Sequence, residues 1–271
     1  MKNQTITSRE YKLILNSDRF QDLETGLEAF WHIVGFTVDK SGGQVVERQD
    51  DVWHRTTWYL DVPNHVLHKN GWIVRVRKQE QEYKLTLKVR SSDRYLASSS
   101  NVGPGKAVKK SKQKFEEDVL PPFVSKFSHS TSVKFIERPK LSKVKDLAEY
   151  FPGIKTLGMR GSEKLGIVNQ FKAHETCRWM GKAKIDNGHE IKACLNFWYP
   201  TKKRKGIPLI AEFSFDYDLD VKKGKKDKEA LEQFDAPTAQ LAATVFASLQ
   251  KQNGWVQFHA TTKTQYAYNA F

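Results

Sequence analysis

The sequence predicts an α+β protein in which an antiparallel β-sheet closes into a barrel and helices pack on its outside. Three observations support this class. Several segments alternate apolar and charged residues with a period of two, which is the pattern of strands with one buried and one polar face. About ten strand candidates occur, more than a flat open sheet usually carries before it curls. Two amphipathic helices have apolar faces suited to covering one side of such a sheet.

The alternation is clearest in four segments, residues 10–15, 71–77, 83–90 and 209–218. In each segment aliphatic or aromatic side chains occupy one face, and mostly charged or hydroxyl side chains occupy the other. A less regular alternation covers residues 112–119, where four charged side chains share a face: Lys112, Lys114, Glu116 and Asp118. Further strand candidates are residues 44–49, 53–62, 169–179, 190–199 and 256–268.

The longest helix candidate, residues 17–36, opens with Ser17 as an N-cap and repeats apolar residues every three to four positions. A second candidate, residues 237–252, repeats Leu241, Val245 and Leu249. Residues 142–150 form a shorter amphipathic candidate. The chain shows no internal repeat and no linker-like change of composition, so we expect a single domain over residues 1–271.

The composition excludes several classes of protein. The 271 residues include 45 Lys and Arg against 31 Asp and Glu, a net charge of +14 that indicates an anionic partner. The apolar share of 39% excludes a disordered chain. Two cysteines, Cys177 and Cys194, are too few for a disulfide framework or a four-cysteine zinc site. No stretch reaches the roughly 18–20 apolar residues of a membrane span, and residues 1–16 lack a signal-peptide core. We therefore expect a cytoplasmic protein with no membrane partner.

The charged strand faces need an explanation, because Lys, Glu and Asp are poor strand residues. One interpretation is a sheet whose second face is solvated. The other, favoured by the number of strands and by the helices, is a closed barrel whose charged face points inward. A buried ion costs several kcal/mol, so such an interior has to be hydrated, partly neutralised by carboxylates and occupied by an anion. The pattern therefore predicts a polyanion-binding tunnel whose carboxylates hold divalent cations.

Three motifs follow one another over residues 58–90. They are Tyr59-Leu60-Asp61-Val62-Pro63, then Leu67-His68-Lys69-Asn70-Gly71 with Arg75-Val76-Arg77, and then Leu85-Thr86-Leu87-Lys88. In order and spacing this set resembles the CYTH, or triphosphate tunnel metalloenzyme, family. That family typically has Tyr-Phe-Asp-Thr-Pro, a Leu-x-x-Asn-Gly turn, an Arg-x-Arg strand and a Thr-Leu-Lys strand. Residues 262–266 are similar to its last tunnel strand.

The resemblance implies an eight-stranded antiparallel tunnel that binds triphosphate-containing substrates with Mg²⁺ or Mn²⁺. Transferred by position, the substrate-binding residues are Lys12, Arg75, Arg77, Lys88, Arg178 and Lys263. The implied catalytic residues are Glu10, Lys12 and Glu116. The implied metal ligands are Glu10, Glu116, Glu212 and Asp216, where Asp216 and Asp218 either supplement Glu212 or are solvated at the tunnel mouth.

The chain departs from the family pattern at three acidic positions. The opening motif has Ser8 in place of its first Glu, the later Glu-x-Glu motif has Ser214 in place of its second, and Asn196 stands where an Asp is expected. Each change removes a negative charge from a site that would bind a divalent cation. A hydroxyl or amide oxygen can ligate Mg²⁺ but neutralises nothing, so we expect weaker metal binding.

The function that the resemblance implies is metal-dependent hydrolysis of a triphosphate-containing substrate. The substrates include inorganic triphosphate, a nucleoside or thiamine triphosphate, and an RNA 5′-triphosphate. One alternative is a non-catalytic tunnel that binds triphosphate or polyphosphate after losing part of its metal site. Another is an adenylate cyclase of the CYTH type, although nothing in the sequence indicates an adenine pocket.

A different class of function, nucleic-acid binding, is motivated by three Lys-rich segments between strand candidates. They cover residues 105–114, 201–206 and 222–228. Phosphate contacts from such turns would be sensitive to salt. The simpler interpretation is that they are solvated hairpin tips that aid solubility.

Overall fold

The structure is a computed structural model that describes residues 5–185, 188–223, 230–233, 235–258 and 262–269. Its strands are β1 (Ser8–Leu15), β2 (Gln44–Asp61), β3 (Trp72–Gln79), β4 (Glu82–Ser91), β5 (Lys112–Leu120), β6 (Val124–Phe135), β7 (Gly166–Ile167), β8 (Ala173–Lys184), β9 (Ile191–Tyr199), β10 (Ile210–Asp218), β11 (Asp220–Lys223) and β12 (Ala230–Gln233). Its α-helices are α1 (Leu23–Lys40), α2 (Val66–Lys69), α3 (Arg94–Ser99), α4 (Val144–Tyr150), α5 (Ala236–Gln250) and α6 (Lys263–Asn269).

Nine strands close into a ring, in the order β3-β4-β6-β5-β1-β10-β9-β8-β2. The ring closes at β2, which pairs with β8 along most of its length and with β3 near its end. Strand β7 pairs with β2 beside the ring, and β11 pairs with β12 outside it. The predicted closed α+β barrel is confirmed.

Two details of that prediction are wrong: the ring has nine strands and not eight, and β1 runs parallel to β5 while its other neighbour, β10, is antiparallel. Strand β6 has no counterpart among the strand candidates of the sequence. Its inner face carries small hydroxyl side chains, Ser128, Ser130 and Ser132, so it lacks the apolar-charged alternation of the other strands.

The outer face of the ring is apolar and covered by helices, as the alternation predicts. Tyr11, Leu13 and Leu15 of β1 are fully buried in a core with α1 and α5. The ring of Tyr11 stacks on that of Phe215 at a centroid distance of 5.0 Å. Burying such side chains contributes roughly 1.5–3 kcal/mol each, so this packing fixes the opposite faces of the same strands toward the interior.

The first long helix begins later than its sequence suggests. Ser17 is not the N-cap of α1, because residues 17–20 form a separate 3-10 turn that Asn16 caps. Helix α1 is capped by Asp22, whose carboxylate accepts a hydrogen bond from the Thr25 backbone N–H at 2.8 Å. Asp and Ser are both good N-caps, and only the position of the turn decides between them.

The predicted last strand, residues 256–268, is also wrong. Within the described residues only Val256 forms a bridge, to Leu15, and the following segment is the helix α6. Residues 259–261 of that prediction lie outside the described part of the chain. Helix α6 packs against the barrel in an apolar cluster that includes Tyr59, Trp198 and Tyr268.

Three other candidates change their limits. The candidates 44–49 and 53–62 are one continuous strand, β2, and β8 begins at Ala173 after a 3-10 turn over Val168–Gln170. The Lys-rich segment 201–206 is the β9–β10 connection, as predicted, whereas part of 222–228 lies outside the described residues. None of the helices described is both long enough and apolar enough to span a membrane.

Candidate functional site

The barrel encloses a cavity of about 470 Å³, a size typical of small-molecule sites. Because side chains alternate along each strand, the charged face of the ring strands lines this cavity. The basic lining residues are Lys12, Arg55, Arg75, Arg77, Lys84, Lys88, Arg90, Lys114 and Lys263. The acidic lining residues are Glu10, Glu116, Glu212 and Asp216. Cations therefore outnumber carboxylates about two to one in the lining described.

All the predicted site residues except one line the cavity. The exception is Arg178, whose guanidinium pairs with Glu24 of α1 on the outside of the barrel. Arg178 is on the outer face of β8, because Cys177 and Glu175 take the inward positions next to it. Lys263 lines the cavity from α6 and not from a strand.

One group of lining cations is neutralised by a single buried carboxylate, Asp118 of β5. Its oxygens lie 2.6 Å from Lys12 Nζ and 2.6 Å from Arg90 Nη2, and Lys88 Nζ is at 3.8 Å. Ser128 Oγ donates a further hydrogen bond to it at 2.9 Å. Asp118 is fully buried, but these cations hold its pKa well below the usual range, so it stays ionised.

The pKa values of the two lysines in this network are shifted in opposite directions. Burial opposes the charge of Lys12, but Asp118 and Glu10 raise its pKa, so it stays protonated. Burial lowers the pKa of Lys88 to about 8, since Asp118 and Glu116 compensate only in part. Lys88 Nζ lies 3.8–3.9 Å from both carboxylates, a looser contact than those of Lys12.

A second group of cations has no such partner. Arg77 of β3 and Lys84 of β4 are directly opposed in the ladder, and Arg75 lies two residues along on the same face. Within the described chain none of the three forms an ion pair with a carboxylate within 4.0 Å. Arg75 Nε and Arg77 Nε are buried without a hydrogen-bond partner. Like charges in opposed positions of a ladder destabilise it, so this wall requires an anion.

Burial, and then repulsion within this second group, lowers the pKa values of Arg77 and Lys84. Burial, followed by Arg55 and Arg75, lowers the pKa of Arg77 to about 9. Burial, followed by Arg77 and Arg75, lowers the pKa of Lys84 to about 8. Each shift means that the protonated form is disfavoured in the empty cavity, and a bound anion would reverse it.

The carboxylates lie on the other side of the ring. Glu10 of β1 and Asp216 of β10 are directly opposed in their ladder. Burial, followed by Glu10 and Asp218, raises the pKa of Asp216 to about 6. Glu10 pairs with Lys12 at 2.8 Å. This wall is therefore the electrostatic counterpart of the Arg77–Lys84 wall, and it favours a positive charge beside Asp216.

The other two predicted metal ligands are already engaged by lysines. Glu116 lies 2.7 Å from Lys114 Nζ, and Glu212 lies 2.6 Å from Lys263 Nζ. Among the residues described, no three carboxylate, histidine or cysteine side chains gather closely enough to hold a metal ion by themselves. Mg²⁺ is commonly held by one or two carboxylates together with substrate phosphates. Glu10 and Asp216 therefore fit Mg²⁺ or Mn²⁺ only when a phosphate ligand completes the site.

Of the three residues that stand where the sequence resemblance implies carboxylates, Ser8 and Asn196 have polar partners of their own. Ser8 Oγ donates to Glu116 Oε1 at 3.3 Å, and Asn196 Oδ1 accepts from Arg55 Nη2 at 3.1 Å. Ser214 lines the cavity between Glu212 and Asp216. An amide at position 196 suits the arginine beside it, since Arg55 already pairs with Glu175.

Several functional side chains are absent from the sequence-based set of site residues: Arg55, Lys84, Arg90, Lys114, Asp118 and Glu175. Lys84 and Arg90 belong to the charged face recognised in residues 83–90, and Lys114 and Asp118 share a face with Glu116. Extending the site to every residue of those faces would have found all four. Arg55 and Glu175 meet only through the pairing of β2 with β8, for which the sequence gives no signal.

Comparison with known proteins gives structural neighbours only: no protein-family model matches the chain, and no curated protein does. The chain is similar to a putative adenylyl cyclase from Hippeastrum, described as having a dominant triphosphatase activity, at 10% identity and a TM-score of 0.46, covering 98% of this chain and 96% of that one. It is also similar to a putative adenylate cyclase from Bacillus halodurans, at 14% identity and a TM-score of 0.38, covering 98% of both chains. A third neighbour is a protein from Pyrococcus horikoshii, at 12% identity and a TM-score of 0.39, covering 97% and 99%.

Proposed function

We propose that the cavity binds a triphosphate-containing substrate and hydrolyses it with a divalent cation that enters together with the phosphates. The observation that carries this proposal is the wall formed by Arg75, Arg77 and Lys84. These cations are crowded and directed into the cavity, and they have no carboxylate partner within 4.0 Å among the residues that the structure describes. An isolated cation is costly to desolvate, so a polyanion that touches several of them at once gains from each.

The neutralised cations add to the same binding site. Lys12, Lys88 and Arg90 keep donors available beyond their contacts with Asp118, because an ammonium has three N–H groups and a guanidinium has five. A row of condensed phosphates offers acceptors to both groups of cations across a cavity of about 470 Å³. Positioning and charge stabilisation supply most of the catalysis of phosphoryl transfer, and this lining provides both.

Glu10 and Asp216 are the residues that we assign to the chemistry. When bound, Mg²⁺ or Mn²⁺ supplies charge neutralisation of the phosphates. The carboxylate of Asp216 has a pKa near 6 in the protein without a cation, and it would accept the proton of the attacking water when Glu10 and the phosphates hold the cation. The water oxygen forms a bond to phosphorus, the P–O anhydride bond breaks, and its electron pair leaves on the departing phosphate. Glu10, which is opposed to Asp216 in the β1–β10 ladder, would hold the cation and orient the water.

A panel of substrates tests this proposal. The protein is incubated with inorganic triphosphate, nucleoside triphosphates, thiamine triphosphate and 5′-triphosphorylated RNA, with Mg²⁺, Mn²⁺ or a chelator, and released phosphate is measured. We expect metal-dependent release from at least one substrate. Asp216→Asn should lower the rate about 10²–10³-fold while tripolyphosphate still binds, as for loss of one preorganised catalytic group. Arg75→Gln should abolish both binding and turnover, whereas Lys78→Gln on the outer face of β3 is the matched control.

One observation favours a second candidate, binding without turnover. Three of the four predicted metal ligands are paired with lysines, which leaves Asp216 as the carboxylate with the least compensation. If no member of the panel is hydrolysed while tripolyphosphate raises the melting temperature, this candidate is correct. Absence of any thermal shift with tripolyphosphate would exclude both candidates.

A further inference from the structure

The outer wall of the barrel carries a second concentration of positive charge, formed by residues that do not line the cavity. It consists of Lys202 and Arg204 in the β9–β10 connection, Lys172 before β8, and Arg138 and Lys140 after β6; we call these five residues the outer stripe. All are exposed except Arg204, which is half-buried. In the described chain none of the five forms an ion pair with a carboxylate within 4.0 Å.

The outer stripe is continuous across the strands. Lys202, Arg204 and Lys172 all act on the imidazole of His174, on the outer face of β8, and add to the effect of burial in lowering its pKa. Lys172 Nζ and Arg138 Cζ in turn each lie 5.8 Å from the ring centroid of Trp58, on the outer face of the neighbouring β2. Trp58 thus links the two ends of the stripe.

Three side chains of the stripe, those of Arg204, Lys172 and Arg138, are held in place by contacts with the protein. Arg204 Nε donates to the Glu175 carbonyl at 3.1 Å, and its Nη1 donates to the Lys202 carbonyl at 3.0 Å. Lys172 and Arg138 are attracted by the face of the Trp58 ring, an interaction worth about 0.5–1 kcal/mol at an exposed site. Cations held in this way lose less conformational entropy when they bind an anion.

A groove adjoins the stripe at Arg138. It has a volume of about 420 Å³, and its apolar floor is formed by the largely buried Trp58, Leu60 and Val76 together with the half-buried Leu141. Arg138, Lys140 and the hydroxyl residue Ser142 line its edge. The groove therefore combines an apolar floor with a row of cations leading away from it.

We propose that the outer stripe and its groove bind a single-stranded nucleic acid, with phosphates on the cations and a base in the groove. Such a strand repeats one negative charge and one flat apolar base per nucleotide, which matches a row of cations beside an apolar floor. The net charge of +14 favours encounter with this partner. This surface is separate from the cavity and does not depend on the proposed hydrolysis.

The test uses a fluorescent 12-nucleotide oligouridylate with a 5′-hydroxyl, which offers the tunnel no triphosphate. Its binding is measured by anisotropy at several salt concentrations. Each phosphate contact on a single strand contributes about −0.7 to the slope of log K against log salt. The triple variant Arg138→Gln/Lys172→Gln/Lys202→Gln should reduce the slope by about two and weaken binding at least about tenfold. Lys106→Gln/Lys109→Gln/Lys110→Gln, which removes three exposed lysines elsewhere, should bind as the unmodified protein does.

Further measurements distinguish binding at the outer stripe from binding in the cavity. The thermal shift with tripolyphosphate should be the same in the stripe variant and the unmodified protein, and Arg75→Gln should keep its affinity for the oligonucleotide. Equal losses in the two triple variants would overturn the proposal. So would an acidic peptide of equal charge that binds as tightly and with the same dependence on the stripe. If the triple variant fails to fold, Lys202→Gln alone, which changes an exposed loop residue, should reduce the slope by about 0.7.

Discussion

Arg77 and Lys84 are opposed partners in the β3–β4 ladder, two cations facing one interior with no carboxylate between them. Repulsion between these two cations lowers the stability of the unliganded protein, and only a bound anion would offset that cost. The barrel therefore shows a conflict between stability and binding that can be measured at a single residue.

Replacing Arg77 by Met should separate the two quantities. Removing one of two opposed like charges should raise the melting temperature of the unliganded protein by about 1–3 °C, the equivalent of up to about 1 kcal/mol in a chain of this size. The upward shift that tripolyphosphate gives should be lost. Differential scanning fluorimetry measures both, with Lys78→Gln as the control. An Arg77→Met protein that melts lower, yet still responds to tripolyphosphate, would contradict this account of the wall.

The affinity for tripolyphosphate should fall as pH rises above about 8. Lys84 and Lys88 have pKa values near 8 in the empty cavity, and Arg77 near 9, so they lose protons in that range. Calorimetry at constant ionic strength between pH 7 and 10 should show weaker binding at each step, with proton uptake on binding near pH 8. The decline should be shallower in Lys84→Met. A flat profile would mean that these groups do not contact the ligand.

In the unliganded protein the same three groups should have the opposite effect: their contribution to stability should increase as pH rises. Each folded-state pKa lies below its usual value, which is 10.5 for lysine and 12.5 for arginine. The unfolded chain therefore binds more protons above about pH 8, and their contribution to the free energy of unfolding rises with pH. Urea denaturation of Lys84→Met at pH 7.5 and 9.5 checks the sign. The stabilising effect of this substitution should be larger at pH 7.5.

Asp216→Asn should stabilise the unliganded protein at pH 7.5 and lose that advantage in acid. The folded-state pKa of Asp216 is raised from 3.8 to about 6, so the ionised form is disfavoured in the native state. At pH 7.5 an amide avoids a cost of about 1–3 kcal/mol, which disappears as pH falls through 6 toward 4. Thermal melts across this range give the difference. A gain that is independent of pH would show that the ionisation of Asp216, disfavoured by burial and then by Glu10, is not the cause.

Asp118→Asn should be the most damaging of these substitutions. Lys12 and Arg90 would lose the buried carboxylate that each contacts at 2.6 Å. Breaking a buried ion pair from one side typically costs about 3–5 kcal/mol. Tripolyphosphate should restore part of this loss, because its charges replace that of Asp118, so the ligand-induced thermal shift should be larger than in the unmodified protein. Glu137→Gln, at an exposed carboxylate, is the control. A variant that unfolds without responding to ligand would indicate that Asp118 acts only in packing.

The part of the fold that the sequence predicts well depends on strict alternation. In β1, β4 and β10 most apolar positions pack in the outer cores and most charged positions line the cavity, so the orientation of these strands could be derived from the alternation. Arg9, which pairs with Glu117 on the outer face, and Ile14, which lines the cavity, are exceptions in β1. Strand β6 was missed because hydroxyl groups on its inner face give no contrast between faces. Helix α6 was assigned to a strand because Thr and Tyr favour strands locally, whereas its packing against Phe171 and Trp198 decides its structure.

The candidate site was predictable to the extent that its members share a face with a recognised motif. Arg75, Arg77 and Lys88 belong to motifs and line the cavity. Asp118 is on a recognised face, but its importance comes from meeting Lys12 and Arg90 across three strands, and no single-strand pattern contains that information. Arg178 shows the converse error: it is a basic residue on a ring strand, but regular alternation with the inward-facing Glu175 and Cys177 places it on the outer face.

The position of β1 determines when the barrel can be completed during synthesis. This strand lies between β5 and β10, which both follow it in the chain, so both its neighbours are made later, the second only when residue 218 has been added. Loops of about 100 and 200 residues have to close around it, whereas β3 and β4 can pair as soon as they emerge. A nascent chain can therefore form the β3–β4 hairpin, with its unpaired cations exposed to water, long before the enclosed space exists. The repulsion between these cations therefore becomes strong only late in folding, when closure of the ring removes them from water.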